Sequence, residues 1–194
     1  MIALGLLVGY LIGSIPTSVW LGRLWGVDLR ADGTKNPGAN NARKLGGYPL
    51  AALVLMMEMA KGLAAVAAGL AIGDDPGAVA AGLGAIAGNV YNVWLRFEGG
   101  KGLGITGGVL LGIWPVAFPL VVAVIIVSSA LSRSTGVGTL ITLVALITSA
   151  LVWDQTGLGD GWGVGQPRLL LITAVGIALL LVRKHLYDAR HPVR

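Results

Sequence analysis

The sequence has no cysteine, two histidines, two phenylalanines and only 12% charged residues. Without cysteine there can be no disulfide, no zinc–thiolate centre and no thiol nucleophile. A soluble domain carries about a quarter charged residues, so this chain cannot cover a water-facing surface with polar groups. The first apolar segment lacks a basic leading region and ends in no small-residue cleavage site, so no cleavable signal peptide is expected. No metal-ligating cluster stands out, and neither a metal nor a cofactor is expected.

What is present is apolar. Hydrophobic residues make up 55% of the chain, and mean hydropathy is +0.81. Apolar windows of roughly 17–23 residues recur, the length that crosses a bilayer as a helix. The expected fold is an all-α integral membrane protein with about seven transmembrane helices, at 2–22, 49–71, 77–95, 104–114, 117–131, 137–153 and 168–184. The weakest division lies in 104–131, where Trp114-Pro115 and Pro119 supply a break because proline removes a helix hydrogen bond and clashes with the preceding turn. The short spans are expected to pack as bent or partial crossings. Glycines within them, as in "GLGAIAG" at 82–88, allow close helix approach. No linker or internal repeat divides the chain, so residues 1–194 are expected to form one domain.

The net charge of +5 could suggest a nucleic-acid partner. In a membrane protein it marks the cytoplasmic side instead, and the expected partner is the lipid bilayer, with no nucleic acid. With seven spans and the N-terminus outside, the inner face collects Arg23, Arg30, Lys35, Arg43, Lys44, Arg96, Lys101, Arg133, Arg183, Lys184, Arg190 and Arg194. The outer loops hold Asp74, Asp75, Asp154 and Asp160, with Arg168 at one edge. Six spans would move Arg133 and the basic tail outside, against the positive-inside rule. The C-terminus is therefore expected to be cytoplasmic.

Four polar islands interrupt the apolar sequence. The first, "GTKNPGANNARKLG" at 33–46, centres on a turn at Asn36-Pro37-Gly38, where proline presets one corner and glycine tolerates positive φ at the next. Thr34, Asn36, Asn40 and Asn41 offer hydroxyl and amide groups, and Arg43 and Lys44 follow. Turn N–H groups, amides and paired cations can receive a phosphate; they can equally face anionic lipid head groups. The second, "RFEGGKG" at 96–102, falls on the same face, with Gly99, Gly100 and Gly102 around Lys101. It is no Walker A loop, since no Ser or Thr follows the lysine, and nucleotide hydrolysis is not expected. Third, Glu58 and Lys61 share a helix face within the second span. A charge at that depth costs roughly 2.5–3.5 kcal/mol, so the pair serves a site, ties helices together, or does both, with Lys61 facing a polar cavity and Glu58 holding it. Fourth, the tail "RKHLYDARH" holds both histidines, with His185 and Asp188 on one face of a continued helix. Arg183 and Lys184 there suit a juxtamembrane anchor, and His191 is expected to be exposed.

In this order the islands resemble the bacterial acyl-phosphate-dependent glycerol-3-phosphate acyltransferases. The likeness runs through "GSIP" at 13–16, "NPGANN" at 36–41, "KG" at 61–62, "GNVYNVWLRFEGGKG" at 88–102, "SRSTG" at 132–136 and the His185/Asp188 tail. Several positions depart from the family pattern. Thr34-Lys35 replace Ser-Gly, Asn40 replaces Thr, and Lys44 stands for an Arg that Arg43 could supply. Glu58 replaces Asp in "DxxKG", while Asn89 and Asn92 replace His and Pro in "GHxxP". Glu98 replaces Lys, Ile105 replaces a Thr that Thr106 adjoins, Gly136 replaces Ser, and Asp188 replaces Asn.

The resemblance implies seven spans with a cytoplasmic active site in a multi-pass protein of the bacterial inner membrane. It implies acyl transfer from acyl phosphate to glycerol 3-phosphate, giving 1-acylglycerol 3-phosphate and phosphate for phospholipid synthesis. On it, Lys101 with Gly99, Gly100 and Gly102 would hold one phosphate. Thr34, Asn36, Gly38, Asn41, Arg43, Lys44 and Lys61 would contact the same phosphate or a second one. His185 and Asp188 would bind the acceptor or assist its deprotonation. The donor is already an activated anhydride, which agrees with the lack of a serine that pairs with either histidine as nucleophile and base. The departures leave open transfer to a different phosphorylated acceptor, or an inactive phosphate- or lipid-binding relative. A transporter is disfavoured, because its internal repeat is missing. Oligomeric state is not legible.

The cysteine-free sequence makes the topology directly testable. Ala31→Cys and Asp160→Cys, introduced singly, should react with an impermeant thiol reagent from opposite sides of the membrane. Reaction from one side would sink the seven-span arrangement.

Overall fold

The computed structural model describes residues 1–156 and 163–191. Asp160 and Arg194, assigned above by charge alone, lie outside the described residues. All the regular structure among the described residues is helical: α1 Ile2–Ser14, α2 Thr17–Leu24, α3 Ala39–Val90, α4 Leu103–Ile113, α5 Ala117–Ser132, α6 Thr135–Thr156 and α7 Pro167–Arg190, with one 3-10 turn at Val93–Leu95. Burial is inverted relative to a water-soluble protein. Leu179, Val144 and Met56 are 71%, 66% and 66% exposed, whereas Ser14, Asn41, Lys61 and Asn92 are buried. Large apolar side chains outside and polar ones inside are what a hydrocarbon solvent selects.

Prolines mark where helices start. Pro16 precedes α2, Pro119 lies in the first turn of α5 and Pro167 opens α7. At these positions the missing N–H leaves no intrahelical bond unmade. Within α3 the backbone leaves helical geometry at Gly47 and again at Gly73 and Asp74, with Pro49 and Pro76 two residues past each break. The 52 residues are thus a short N-terminal piece and two arms, 48–72 and 75–90. The arms double back. A Cβ on Gly69 would collide with the Gly77 carbonyl, although residues eight apart on a straight helix would be separated by about 12 Å.

Four stretches are long and apolar enough to cross a membrane: Ile2–Leu24, Ala39–Leu95, Thr135–Thr156 and Pro167–Arg190. The second has 57 residues, which would measure about 86 Å if straight, nearly three times a hydrocarbon core of about 30 Å. Its hairpin corresponds to the separate segments expected at 49–71 and 77–95. The break expected near Trp114-Pro115 is present and separates α4 from α5, whose 11 and 16 residues reach only about 16 and 24 Å. The segment expected at 2–22 differs in one respect: it is interrupted at Ile15–Pro16.

The chain divides into two compact units, Met1–Val109 and Leu110–Arg194. In the first, α1 lies along the second arm of α3. Gly9 and Gly13 press on the carbonyls of Ala81 and Ala85, and Gly84 and Gly88 press back on those of Leu6 and Tyr10. Small residues four apart on both helices bring backbone against backbone, the contact that replaces the hydrophobic effect between helices in lipid. In the second unit α6 packs on both α5 and α7, and Trp114 meets Trp153 edge to face with centroids 5.6 Å apart. Thr139, Thr142 and Thr173 donate their hydroxyls to the carbonyls of Thr135, Gly138 and Leu169, so no polar hydrogen is presented to lipid there.

Gly9→Val places a branched side chain where the Ala81 backbone already lies. It should lower stability by about 1–3 kcal/mol or more, read as thermal unfolding in detergent, while lipid-facing Leu179→Ala should stay within about 0.5 kcal/mol. Equal behaviour of the two would remove the glycine seam as the basis of α1 docking.

Candidate functional site

The interruption at Pro16 leaves helix carbonyls without their usual donors, and inside a bilayer such carbonyls need donors from the protein itself. The first unit supplies donors from side chains. Lys61 Nζ donates to Gly13 O at 3.2 Å and Ile15 O at 2.8 Å, and Asn92 Nδ2 donates to Ser14 O at 2.7 Å. Lys61 also pairs with Glu58 Oε1 at 3.1 Å. Thr17 Oγ1 donates to the same oxygen at 3.1 Å, and Asn89 Nδ2 donates to Glu58 Oε2. All three ammonium hydrogens of Lys61 therefore have acceptors. These contacts show Lys61 tying helical segments together.

The first loop is held in a related way. Asn41 is fully buried. Its Nδ2 donates to Leu29 O and Asp32 O, both at 3.0 Å, and its Oδ1 accepts from Thr34 N at 2.8 Å. Asn41 thus staples the loop from inside. The turn at Asn36–Gly38 closes through Gly38 N to Asn36 O at 2.8 Å. Gly38 itself is extended, φ −136°, and caps α3; the left-handed residues are Gly33 and Lys35 instead. Asp28 accepts from the N–H groups of Arg30 at 2.8 Å and Ala31 at 3.1 Å. These bonds hold its carboxyl below its ordinary value, so this turn is intact at neutral pH and is lost only as acid protonates the carboxylate. Arg43 and Lys44 are exposed, with the Arg43 guanidinium 5.8 Å from the Tyr48 ring centre.

The second loop lies against the end of α3. Gly99 N donates to Val90 O at 3.2 Å and Gly100 N to Asn89 O at 3.1 Å. A Cβ on Gly99 would overlap the Asn89 carbonyl. The Gly99 and Gly100 N–H groups bind the protein's own carbonyls here, and the absence of side chains permits that contact. Gly102 has φ +85° and turns the chain into α4 directly after half-buried Lys101.

The two loops meet. A Cβ on Gly100 would stand 3.7 Å from Pro37 O, and Arg30 pairs with Glu98 at 3.8 Å across an exposed gap. α3 begins beside the first loop and α4 beside the second, with no acidic residue in either first turn. A helix N-terminus carries partial positive charge and open N–H groups, so Arg43, Lys44 and Lys101 add cations where helices are already positive. That arrangement disfavours the empty protein slightly and favours an anion.

In the second unit His185 is buried and Asp188 half-buried, three residues apart on α7. Gly136, at the start of α6, faces them: a Cβ there would lie 2.8 Å from His185 O and 3.0 Å from Asp188 Cβ. A serine at 136 would have no room unless α6 and α7 separated. His191 is exposed, as expected, and stacks on Tyr187. Sequence reasoning gave no role to Ser14, Thr17, Asn89 or Asn92, although all four join the buried network. Their signal was polar side chains flanking Pro16 and closing an apolar run in "GNVYN".

A chain of bent apolar helices, whose first unit encloses a buried lysine–carboxylate network and carries two adjoining basic loops, is a multi-pass membrane protein. Comparison with known proteins narrows this class. Residues 3–192 match the family Glycerol-3-phosphate acyltransferase, and the chain belongs to it. A glycerol-3-phosphate acyltransferase of Synechococcus sp. (strain JA-3-3Ab) is 39% identical over 184 residues, covering 94% of this chain and 85% of the relative. One from Nitrobacter winogradskyi is likewise 39% identical, covering 94% and 87%. The crystal structure of PlsY, an integral membrane glycerol 3-phosphate acyltransferase in its glycerol 3-phosphate form, superposes with TM-score 0.78 at 25% identity, covering 97% of this chain and 90% of that one.

Lys61→Met would leave Glu58 without its countercharge and the Gly13 and Ile15 carbonyls without a donor. Removing one partner of a buried pair costs about 3–5 kcal/mol, so the variant should unfold at much lower temperature or denaturant. A wild-type unfolding midpoint would overturn the tying role.

Proposed function

We propose that this protein is a membrane enzyme that acylates glycerol 3-phosphate to 1-acylglycerol 3-phosphate for phospholipid synthesis, with acyl phosphate as the donor. Membership in the family supports the reaction. The observation that carries the reading to this chain is the meeting of the two basic loops at Pro37 and Gly100. Both reactants are phosphates, and their like charges must be neutralised before the acceptor oxygen can approach the donor carbonyl.

The glycerol hydroxyl oxygen attacks the acyl carbonyl carbon, the carbon–oxygen bond to phosphate breaks, and the leaving phosphate takes the hydroxyl proton. The balance closes without an acyl-enzyme. Lys101 is assigned to a phosphate, together with the opening N–H groups of α4. Thr34, Asn36, Gly38, Arg43 and Lys44 form the side of the first loop that meets the same phosphate or the second one. His185 and Asp188 are assigned to acceptor binding or deprotonation. The apolar helix faces hold the acyl chain, which is why the reaction belongs in a membrane. The full topology under this proposal has seven spans, counting α4 and α5 as short crossings, with the N-terminus outside and the C-terminus cytoplasmic. The protein then resides in the bacterial inner membrane as one acyltransferase domain.

Purified protein supplied with acyl phosphate and a panel of phosphorylated acceptors should release phosphate with glycerol 3-phosphate, and acyl-CoA should not replace the donor. Release with another acceptor alone would transfer the reading to that substrate, and a covalently acylated protein would overturn direct transfer. Lys101→Ala should lower kcat by roughly 10²-fold or more. Lys101→Arg, with the charge kept but its shape changed, should recover only part. Wild-type turnover in Lys101→Ala would remove this loop from the site.

A further inference from the structure

Lys101 is flanked on both sides by residues that rest on the two ends of one buried hydrogen bond. On its N-terminal side, Gly100 N donates to Asn89 O at 3.1 Å, and a Cβ on Gly100 would lie 3.2 Å from Asn89 Oδ1. On its C-terminal side, Gly104 in the first turn of α4 packs against Glu58, where a Cβ would lie 2.9 Å from Glu58 Cβ. Between these two supports runs the Asn89 Nδ2–Glu58 Oε2 hydrogen bond. Glu58 is held on its far side by Lys61 and Thr17, each at 3.1 Å, and Lys61 is anchored in turn on the α1 carbonyls. Gly100 and Gly104, on either side of Lys101, are thus each packed on one member of this pair.

We propose that Glu58 and Asn89 are a length-matched pair of positioning residues for Lys101. Neither reaches a reactant. The proposal rests on the reading that Lys101 contacts a reactant phosphate. Their contact fixes a summed reach, so shortening Glu58 by a methylene should be compensated by a longer donor at position 89.

The test is a cycle of wild type, Glu58→Asp, Asn89→His and the double variant. It is read by kcat and KM per folded molecule, by thermal unfolding, and by amide hydrogen exchange of residues 98–104. Each single variant should raise exchange at Gly100 and lower kcat by roughly 10²-fold, with a smaller change in KM, because small misplacements of a charge-bearing group act on the transition state. The double variant should recover both readouts, whereas independent effects would multiply. Should Glu58→Asp fail to fold alone, recovery of folded, active protein in the double variant carries the same sign. A double variant as impaired as the product of the singles overturns the pairing. So do single variants that unfold more easily but turn over normally when folded, because the pair would then be structural only. If wild type fails to acylate glycerol 3-phosphate, the functional reading falls, and the exchange pattern still decides whether the pair sets the loop.

Discussion

A lysine ammonium bound to the carbonyls of a broken helix is the contact on which the first unit depends. In water an interruption at Pro16 would be a minor event, because solvent would bind the freed carbonyls. In lipid each open carbonyl costs several kcal/mol. Lys61 reaches Gly13 O and Ile15 O, and Asn92 takes Ser14 O. The charge brought in to do this then needs its own partner, which is Glu58, and the remaining carboxylate oxygen is occupied by Asn89. One break in a helix thus recruits side chains from both arms of α3. The network costs desolvation, and its evident return is geometric: it ties α1, α2, both arms of α3 and the loop at Asn92 in one register.

The glycine seams make this network possible. Side chains as short as Asn and Thr can bridge helices only where backbones approach closely. The α1–α3 contact provides that approach through Gly9 and Gly13 against Ala81 and Ala85. Gly108, whose Cβ would overlap the Met59 carbonyl, does the same for α4 against α3. Larger residues at these positions would move the polar atoms apart before they removed any apolar contact.

The same economy separates polar groups that serve the fold from cations placed at helix starts. Asn41, Gly99 and Gly100 look from their types like ligand-binding residues, yet their polar groups serve the fold. Arg43 and Lys44 face outward at the start of one helix, and Lys101 adjoins the start of another. Cations there oppose the local dipole, an arrangement that makes physical sense when an anion arrives.

Much of the architecture was legible in the amino-acid sequence because hydrocarbon imposes simple rules. Apolar windows of helical length, prolines at segment starts and the rarity of charge implied a bundle of helices in a membrane. The Trp114-Pro115 break could be read from its prolines, and the separation of 49–71 from 77–95 from the end of one apolar window before Asp74 and Asp75. The ordered motifs were specific enough to indicate the family. What the sequence could not show was the partner of each polar group. Glu58 and Lys61 are local neighbours, but whether the ammonium faces a cavity or a helix end depends on α1, about 45 residues away. Asn41 and Asn89 are amides that suit a ligand or a backbone equally well. Only the tertiary fold, by placing carbonyls of Leu29, Asp32 and Gly13 within reach, decided which hydrogen bonds each would make. Periodicity is a property of one helix and can be read along the chain; hydrogen-bond satisfaction is a property of the folded whole, because donor and acceptor are far apart in sequence.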